Sequence, residues 1–159
     1  MPISKVDNAA KESTCEIAFL EEISKSVGNR AHVILLAEDD PDDAELIGRA
    51  LKEWPLAISI KHVADGEAAI SHLAGDTTAT NEPMASPTIV LLDLKMPRKN
   101  GFEVLQWIRA SEAWSHLPVI ILTSSDDPGD KARAKNLGST AYLIKKFPFR
   151  NLVKLLESI

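Results

Sequence analysis

The sequence predicts an α/β protein built on a doubly wound, five-stranded parallel sheet with helices on both faces. From His32 onward, short apolar runs alternate with stretches of helical periodicity, a pattern that implies parallel strands joined by helices. The first run, Val33–Ala37, is apolar without interruption, as expected for a strand buried on both faces. Polar residues come directly after several of these runs, at the sheet edge where such folds bind ligands.

The first two strand–helix units follow from local signals. After the first strand, Asp40 suits a helix cap and Pro41 suits the first helical turn. The apolar face of that helix is predicted to comprise Ala44, Ile47, Leu51 and Trp54. Ile58–Val63 alternates and is rich in β-branched residues, so it predicts the second strand. Asp65 and Gly66 then form a turn before a short helix, whose apolar residues are Ala69, Ile70 and Leu73.

Three further units complete the predicted sheet. Residues 75–87 are rich in Thr, Asn, Ser and Pro, which indicates an exposed loop before the third strand. The remaining strands are predicted at Thr88–Leu92, Pro118–Leu122 and Ala141–Ile144. The helices after them are predicted at Phe102–Ala110, Pro128–Leu137 and Asn151–Ile159. The expected architecture is flavodoxin-like, with strand order 2-1-3-4-5.

Composition excludes several classes of function. The chain has 159 residues and a formal charge of -5 without a long basic run, so we expect no nucleic-acid binding. Its one cysteine, Cys15, cannot form an intramolecular disulfide. No apolar run approaches the roughly 20 residues of a membrane helix, and the N-terminus lacks the pattern of a signal peptide. We therefore expect a cytoplasmic protein.

Residues 1–30 differ from the rest of the chain. They are polar and mixed, except that Ile17, Leu20, Ile23 and Val27 fall roughly on one helical face. We predict an N-terminal extension over 1–30, partly flexible with a short helix at Glu16–Val27, and a folded domain over 31–159. Two interpretations of the extension stay open: a disordered tail, or a helix that packs on a second subunit.

Side chains able to do chemistry follow four of the five predicted strands. They are Glu38 and Asp39 after the first strand, Asp93 after the third, Thr123 and Ser124 after the fourth, and Lys145 after the fifth. The carboxyl ends of parallel strands share one edge, and the first and third strands flank the point where the strand order reverses. The sequence thus predicts one site with three carboxylates, two hydroxyls and an ammonium.

This combination of groups favours phosphoryl chemistry with a metal ion. Close carboxylates repel one another and resist ionisation, and a hard cation such as Mg²⁺, which prefers oxygen ligands, relieves that repulsion. An aspartate beside the cation can then act as a nucleophile and form an aspartyl-phosphate. Lys145 would supply positive charge, and Thr123 would donate a hydrogen bond to a phosphate oxygen.

Each of these residues also has a simpler interpretation. Acidic residues favour the first turn of a helix, and we assign Asp40, Asp42 and Asp43 to that role alone. Thr123 by itself would be a turn former, and Lys145 by itself a strand-end lysine whose charge reaches solvent. It is their coincidence on the right strand ends that indicates a site.

The residues that carry this pattern resemble the receiver domains of two-component signalling proteins. The matching segments are Ile34–Pro41, Leu91–Gly101, Val119–Ser124 and Tyr142–Lys145. Order, spacing and content agree from about His32 to the C-terminus, so the resemblance assigns the domain over 31–159 to the receivers and leaves only the extension outside.

The resemblance implies roles for the matching positions. It makes Asp93 the phosphoacceptor and Lys145 the lysine that pairs with the phosphate, with Thr123 and Ser124 also at the phosphate. It gives Mg²⁺ as the cofactor. The implied metal ligands are Asp39, Asp93, the main-chain carbonyl of Lys95, and Glu38 acting directly or through water. Thr123 and Tyr142 are the implied switch pair, and the side chains of Lys95 and Ser125 are expected to tune the phosphate lifetime.

Within the family, the sequence is most similar to the stand-alone receivers that pair with bacterial phytochrome kinases. The long loop before the third strand, the Leu122–Ser125 run and the lack of an output domain carry this resemblance. It implies a sensor histidine kinase of the phytochrome type as partner, a homodimer, and output by conformational switching and protein contact.

Two other functions share part of this pattern. A phosphatase or phosphotransferase of the haloacid-dehalogenase type would need a second aspartate two residues after the first, where this chain has Lys95. A degenerate receiver would bind a partner without phosphorylation. Receivers usually have proline after the conserved lysine, but here Lys146 follows Lys145. We expect a trans peptide bond at that junction, since the cis form before a non-proline residue costs roughly 2.5–4 kcal/mol.

Overall fold

The computed structural model describes residues 32–75, 85–146 and 148–158. Within these ranges five strands alternate with five helices. The strands, β1 to β5, are His32–Ala37, Ile58–Val63, Ile89–Leu92, Val119–Thr123 and Ala141–Ile144. The helices, α1 to α5, are Pro41–Leu51, Gly66–Leu73, Gly101–Ala110, Pro128–Asn136 and Arg150–Leu156. The predicted N-terminal helix and most of the predicted loop before β3 lie outside the described residues.

All five strands are parallel, and their order is β2-β1-β3-β4-β5. This confirms the predicted doubly wound sheet and its strand order. The register pairs Ala37 with Leu92, so the next residues, Glu38 and Asp93, leave neighbouring strands at the same level. The main-chain amide of Asp93 donates to the carbonyl of Ala37 at 3.1 Å. Strand pairing alone therefore places the two acids side by side.

The sheet separates two apolar layers. Successive side chains of a strand point to opposite faces, so Leu35 packs into the layer beneath α2, α3 and α4. Ile34 packs into the layer beneath α1 and α5. Both side chains are fully buried, which explains why β1 needs an uninterrupted apolar sequence. The strands are thus fixed by the apolar core on both faces of the sheet. The polar groups lie at the edge formed by the carboxyl ends of the strands.

Helix α1 begins as predicted and ends earlier than predicted. The side chain of Asp40 accepts hydrogen bonds from the amides of Asp42 and Asp43, which caps the helix. The helix ends at Leu51, so the prediction that Trp54 lies on its apolar face was wrong. Pro55 disfavours helical backbone in the residue before it, and Trp54 reaches the core from the following turn, where it is buried.

The described helices are short. The longest, α1, has 11 residues. No helix in the described ranges has the length and apolar character needed to cross a membrane.

The segment after Asp93 folds back against α3 at a glycine. A Cβ atom on Gly101 would lie 2.2 Å from the main-chain oxygen of Asp93 and 2.9 Å from the Cα of Leu94. The amide of Gly101 also donates to the carbonyl of Leu94 at 3.0 Å. Only a residue without a side chain lets helix α3 begin this close to the backbone of Asp93 and Leu94.

We predict that Gly101→Ala lowers the free energy of unfolding by about 1–3 kcal/mol, because the methyl group must displace backbone. Gly48→Ala is the matched control. Gly48 lies inside α1 with nothing within 4 Å of an added Cβ, so alanine should stabilise the helix by roughly 0.5–1 kcal/mol. Urea denaturation followed by tryptophan fluorescence measures both. Equal stability of Gly101→Ala and the wild type would contradict the close approach.

Candidate functional site

Three acidic residues converge where β1 and β3 end. Glu38 is 1% exposed and Asp93 is 6% exposed, whereas Asp39 lies at the surface. Carboxylate oxygens of Glu38, Asp39 and Asp93 lie within 4.8 Å of one another. The fold therefore brings together the acids that the sequence placed at two separate strand ends.

Lys145 extends from the end of β5 into this acidic cluster. Its Nζ lies 2.5 Å from Oε2 of Glu38, 3.0 Å from Oδ2 of Asp43 and 3.1 Å from Oδ2 of Asp93. The amide of Lys145 donates to the carbonyl of Thr123 at 2.7 Å, which extends the pairing of β5 with β4. An ammonium has three N–H donors, and here three carboxylates surround it.

The surroundings fix the charge state of Lys145. Burial alone would lower its pKa, but hydrogen bonds to Glu38 and Asp43 and the charge of Asp93 raise the pKa well above its usual value. Burial also raises the pKa of Glu38, although the hydrogen bond from Lys145 opposes that shift. Four carboxyl groups, those of Glu38, Asp39, Asp43 and Asp93, lie around this one ammonium, so acidic groups outnumber the basic one at the site.

The carboxylate of Asp93 is held at both oxygens. Its Oδ1 accepts hydrogen bonds from the amides of Leu94 at 2.7 Å and Lys95 at 3.4 Å. Its Oδ2 faces Lys145. The side chain of Lys95 is exposed, and the proposed role of its carbonyl as a metal ligand stays a prediction. Asp93 is thus oriented by its own loop before any ligand arrives.

The acidic cluster has the donor set that a hard divalent cation requires. Every ligand atom it offers is an oxygen, and Mg²⁺ binds oxygen ligands through one or two carboxylates while retaining waters. The buried carboxylate of Glu38 and the excess of acidic groups both favour an added cation. Glu38, Asp39 and Asp93 are the residues that would hold it.

The predicted switch residues are connected through Ser125. The buried hydroxyl oxygen of Thr123 accepts from the amide of Ser125 at 3.3 Å. The hydroxyl of Tyr142 donates to the carbonyl of Ser125 at 2.9 Å. The hydroxyl of Ser125 donates to Oδ2 of Asp130, in the first turn of α4, at 2.7 Å. Ser124, which lies between Thr123 and Ser125 in the sequence, is exposed.

Sequence reasoning missed two contacts of this site. Asp43 does lie in the first turn of α1, but assigning it to the helix start alone was wrong because it also pairs with Lys145. No pattern in the sequence indicated that its side chain reaches Lys145. Nε2 of His62, near the end of β2, lies 2.7 Å from the main-chain oxygen of Glu38, and no sequence pattern pointed to it.

The chain is similar to known proteins in sequence and in fold. The family profile of the response regulator receiver domain matches residues 34–157. Response regulator Rcp1 of Synechocystis sp. is 33% identical over 131 residues, which cover 82% of this chain and 88% of Rcp1. The crystal structure of the Mn²⁺-bound form of Rcp1 has a TM-score of 0.69 over 80% of this chain and 91% of that one.

Two further solved structures resemble the chain. The bacteriophytochrome response regulator AtBRR is 38% identical, with a TM-score of 0.70 over 80% of this chain and 91% of that one. The phosphorylated cyanobacterial phytochrome response regulator RcpA is 28% identical, with a TM-score of 0.71 over 81% of this chain and 91% of that one.

We predict that Mg²⁺ stabilises the protein through the acidic cluster. At a hundredfold excess over its dissociation constant, a ligand of the native state adds about 2.7 kcal/mol to the free energy of unfolding. Asp39→Asn should lose most of this gain, and Asp42→Asn, an exposed neighbour in α1, should keep it. Because the pKa of Glu38 is raised, protons compete with the cation and the gain should shrink as the pH falls.

The measurement is urea denaturation in MgCl₂ against EDTA at matched ionic strength. A wild type without any gain, or an Asp39→Asn variant with the full gain, would contradict the assignment of this cluster to a cation.

Proposed function

The chain belongs to the response regulator receiver domain family, and on that premise we propose that it is a response regulator phosphorylated on Asp93 by a sensor histidine kinase. Phosphorylation of an aspartate is general in this family. The observation that carries the assignment is the position of Lys145, whose Nζ lies 3.1 Å from Oδ2 of Asp93 inside the acidic cluster. A fixed carboxylate beside a buried ammonium is suited to accept a phosphoryl group.

The proposed reaction transfers one phosphoryl group to Asp93. A carboxylate oxygen of Asp93 attacks the phosphorus atom and forms the new O–P bond. The P–N bond of the donor phosphohistidine breaks, and its electron pair returns to the imidazole, which takes up a proton. Lys145 offsets the negative charge carried by the oxygens of the transferred group. Hydrolysis later returns phosphate and the free carboxylate.

The cofactor we propose is Mg²⁺, held by Glu38, Asp39, Asp93 and the main-chain carbonyl of Lys95. When bound, it neutralises charge between the phosphoryl group and the carboxylates. The oxygen-only donor set supports this proposal, as does the crystallisation of Rcp1 in a Mn²⁺-bound form.

Signalling is proposed to proceed through the hydroxyl network at the end of β4. Thr123 and Ser124 would contact the phosphate, and the ring of Tyr142 would follow the movement of Thr123. The contacts of Ser125 with Thr123, Tyr142 and α4 support such coupling, because one residue joins all three. The side chains of Lys95 and Ser125 would tune the phosphate lifetime. A local charge change would thereby bias the surface that a partner meets.

We further propose a kinase of the phytochrome type, a homodimer, a cytoplasmic location, and no external substrate or nucleic-acid partner. The phytochrome response regulators RcpA and AtBRR support the kinase assignment.

Ile144 of β5 supports a protein contact, because it is the exposed large apolar side chain in the described part of the chain, 39% exposed. Sedimentation velocity of the full chain tests the dimer, and a monomer at micromolar concentration would contradict it.

The test of the function is intact-mass spectrometry after incubation with acetyl phosphate, with and without MgCl₂. We expect the wild type to gain one phosphoryl group only with Mg²⁺, and Asp93→Asn, which keeps the shape of the side chain, to gain none. Phosphorylated phytochrome kinase used as donor in the same assay tests the partner. A wild type that never gains mass would favour the alternative of a degenerate receiver that acts as a phosphorylation-independent binding module.

A further inference from the structure

We propose that Asp43 is a positioning residue for phosphoryl transfer, which holds Lys145 at the site while a cation and the phosphoryl group occupy the other carboxylates. This inference rests on the proposed function. It concerns a residue that the sequence pattern assigns only to the start of α1.

The geometry of the pair supports this role. Oδ2 of Asp43 lies 3.0 Å from Nζ of Lys145, whose side chain is only 9% exposed. The backbone of Asp43 is held in place by the cap of α1, because its amide donates to Oδ1 of Asp40. An ion pair with one well-buried member and a rigid backbone loses less to solvent and to side-chain entropy than a surface pair.

Asp43 differs from the other two partners of Lys145. Glu38 and Asp93 both belong to the group of acids able to hold a cation, whereas Asp43 stands outside that group. A cation that takes oxygens of Glu38 and Asp93 repels the nearby ammonium. Glu38 and Asp93 would then interact with both the cation and Lys145. Of the three carboxylates around Lys145, only that of Asp43 would interact with Lys145 alone.

Loss of Asp43 would therefore have a specific consequence. Lysine has a flexible four-carbon stem and a strongly hydrated charge, so an ammonium repelled by the cation would turn toward solvent. The residue that follows, Lys146, is exposed and cationic, so it offers Lys145 no attraction. It also lacks the ring with which a proline restricts the backbone. The pairing with Asp43 is what keeps the ammonium facing the phosphoryl group.

The experiment compares rates of phosphorylation of the full chain by acetyl phosphate at saturating MgCl₂, measured by intact mass. We expect Asp43→Asn to be roughly fivefold slower, in line with a partly exposed ion pair. Asp42→Asn is the matched control, because it removes the same charge from the same helical turn and Asp42 is exposed. It should phosphorylate at the wild-type rate. Asp43→Glu should recover part of the loss.

A double-mutant cycle separates positioning from general electrostatics. In a Lys145→Ala background, adding Asp43→Asn should cause no further loss, because the group that Asp43 holds is gone. With MgCl₂ and beryllofluoride as phosphoryl analogue, ¹H–¹⁵N spectra of lysine ammonium groups should show a protected signal that Lys145→Ala and Asp43→Asn both lose.

Three results would overturn the inference: a wild-type rate for Asp43→Asn, a faster rate, or an equal further loss in the Lys145→Ala background. The first of these results, combined with a defect below saturating MgCl₂, would assign Asp43 to cation affinity instead. These failures differ from failure of the proposed function, in which the wild type itself gains no phosphoryl group.

Discussion

The site depends on one interaction, the pairing of the buried ammonium of Lys145 with the carboxylates of Glu38, Asp43 and Asp93. Two of those acids are almost fully buried, and a buried charge is tolerated only when it is paired. Removing one partner of such a group is costly because the others remain in a medium of low polarity. The strand ends can therefore carry this much charge only because β5 delivers a lysine to the same edge as β1 and β3.

The same interaction would suit the site to the proposed switch. The carboxylates outnumber the ammonium, so the native fold favours the arrival of further positive charge. A phosphoryl group on Asp93 would then give Lys145 a new partner. The neighbouring loop is tied to α4 through the hydrogen bonds of Ser125. A change at the phosphoryl group would therefore reach α4 through these hydrogen bonds.

The sequence predicted the fold almost completely, since each strand is marked by its own apolar run and the edge by the residues after it. It also placed Glu38, Asp39, Asp93 and Lys145 together, because parallel topology brings strand ends to one edge. It could not predict the contact of Asp43 with Lys145, which depends on the direction of a helix relative to a distant strand. Trp54 was misplaced because apolar periodicity continues past Leu51, where the helix ends.

The central claim is that Asp93 carries an acyl phosphate, and chemical trapping tests it most directly. After incubation with acetyl phosphate and MgCl₂, borohydride should reduce the acyl phosphate at that position to the side-chain alcohol, converting the aspartate to homoserine. Peptide mapping by mass spectrometry should then find homoserine at position 93 and aspartate at positions 39 and 43. Homoserine at another aspartate, or at none while the intact protein carries phosphate, would contradict Asp93 as the phosphoacceptor.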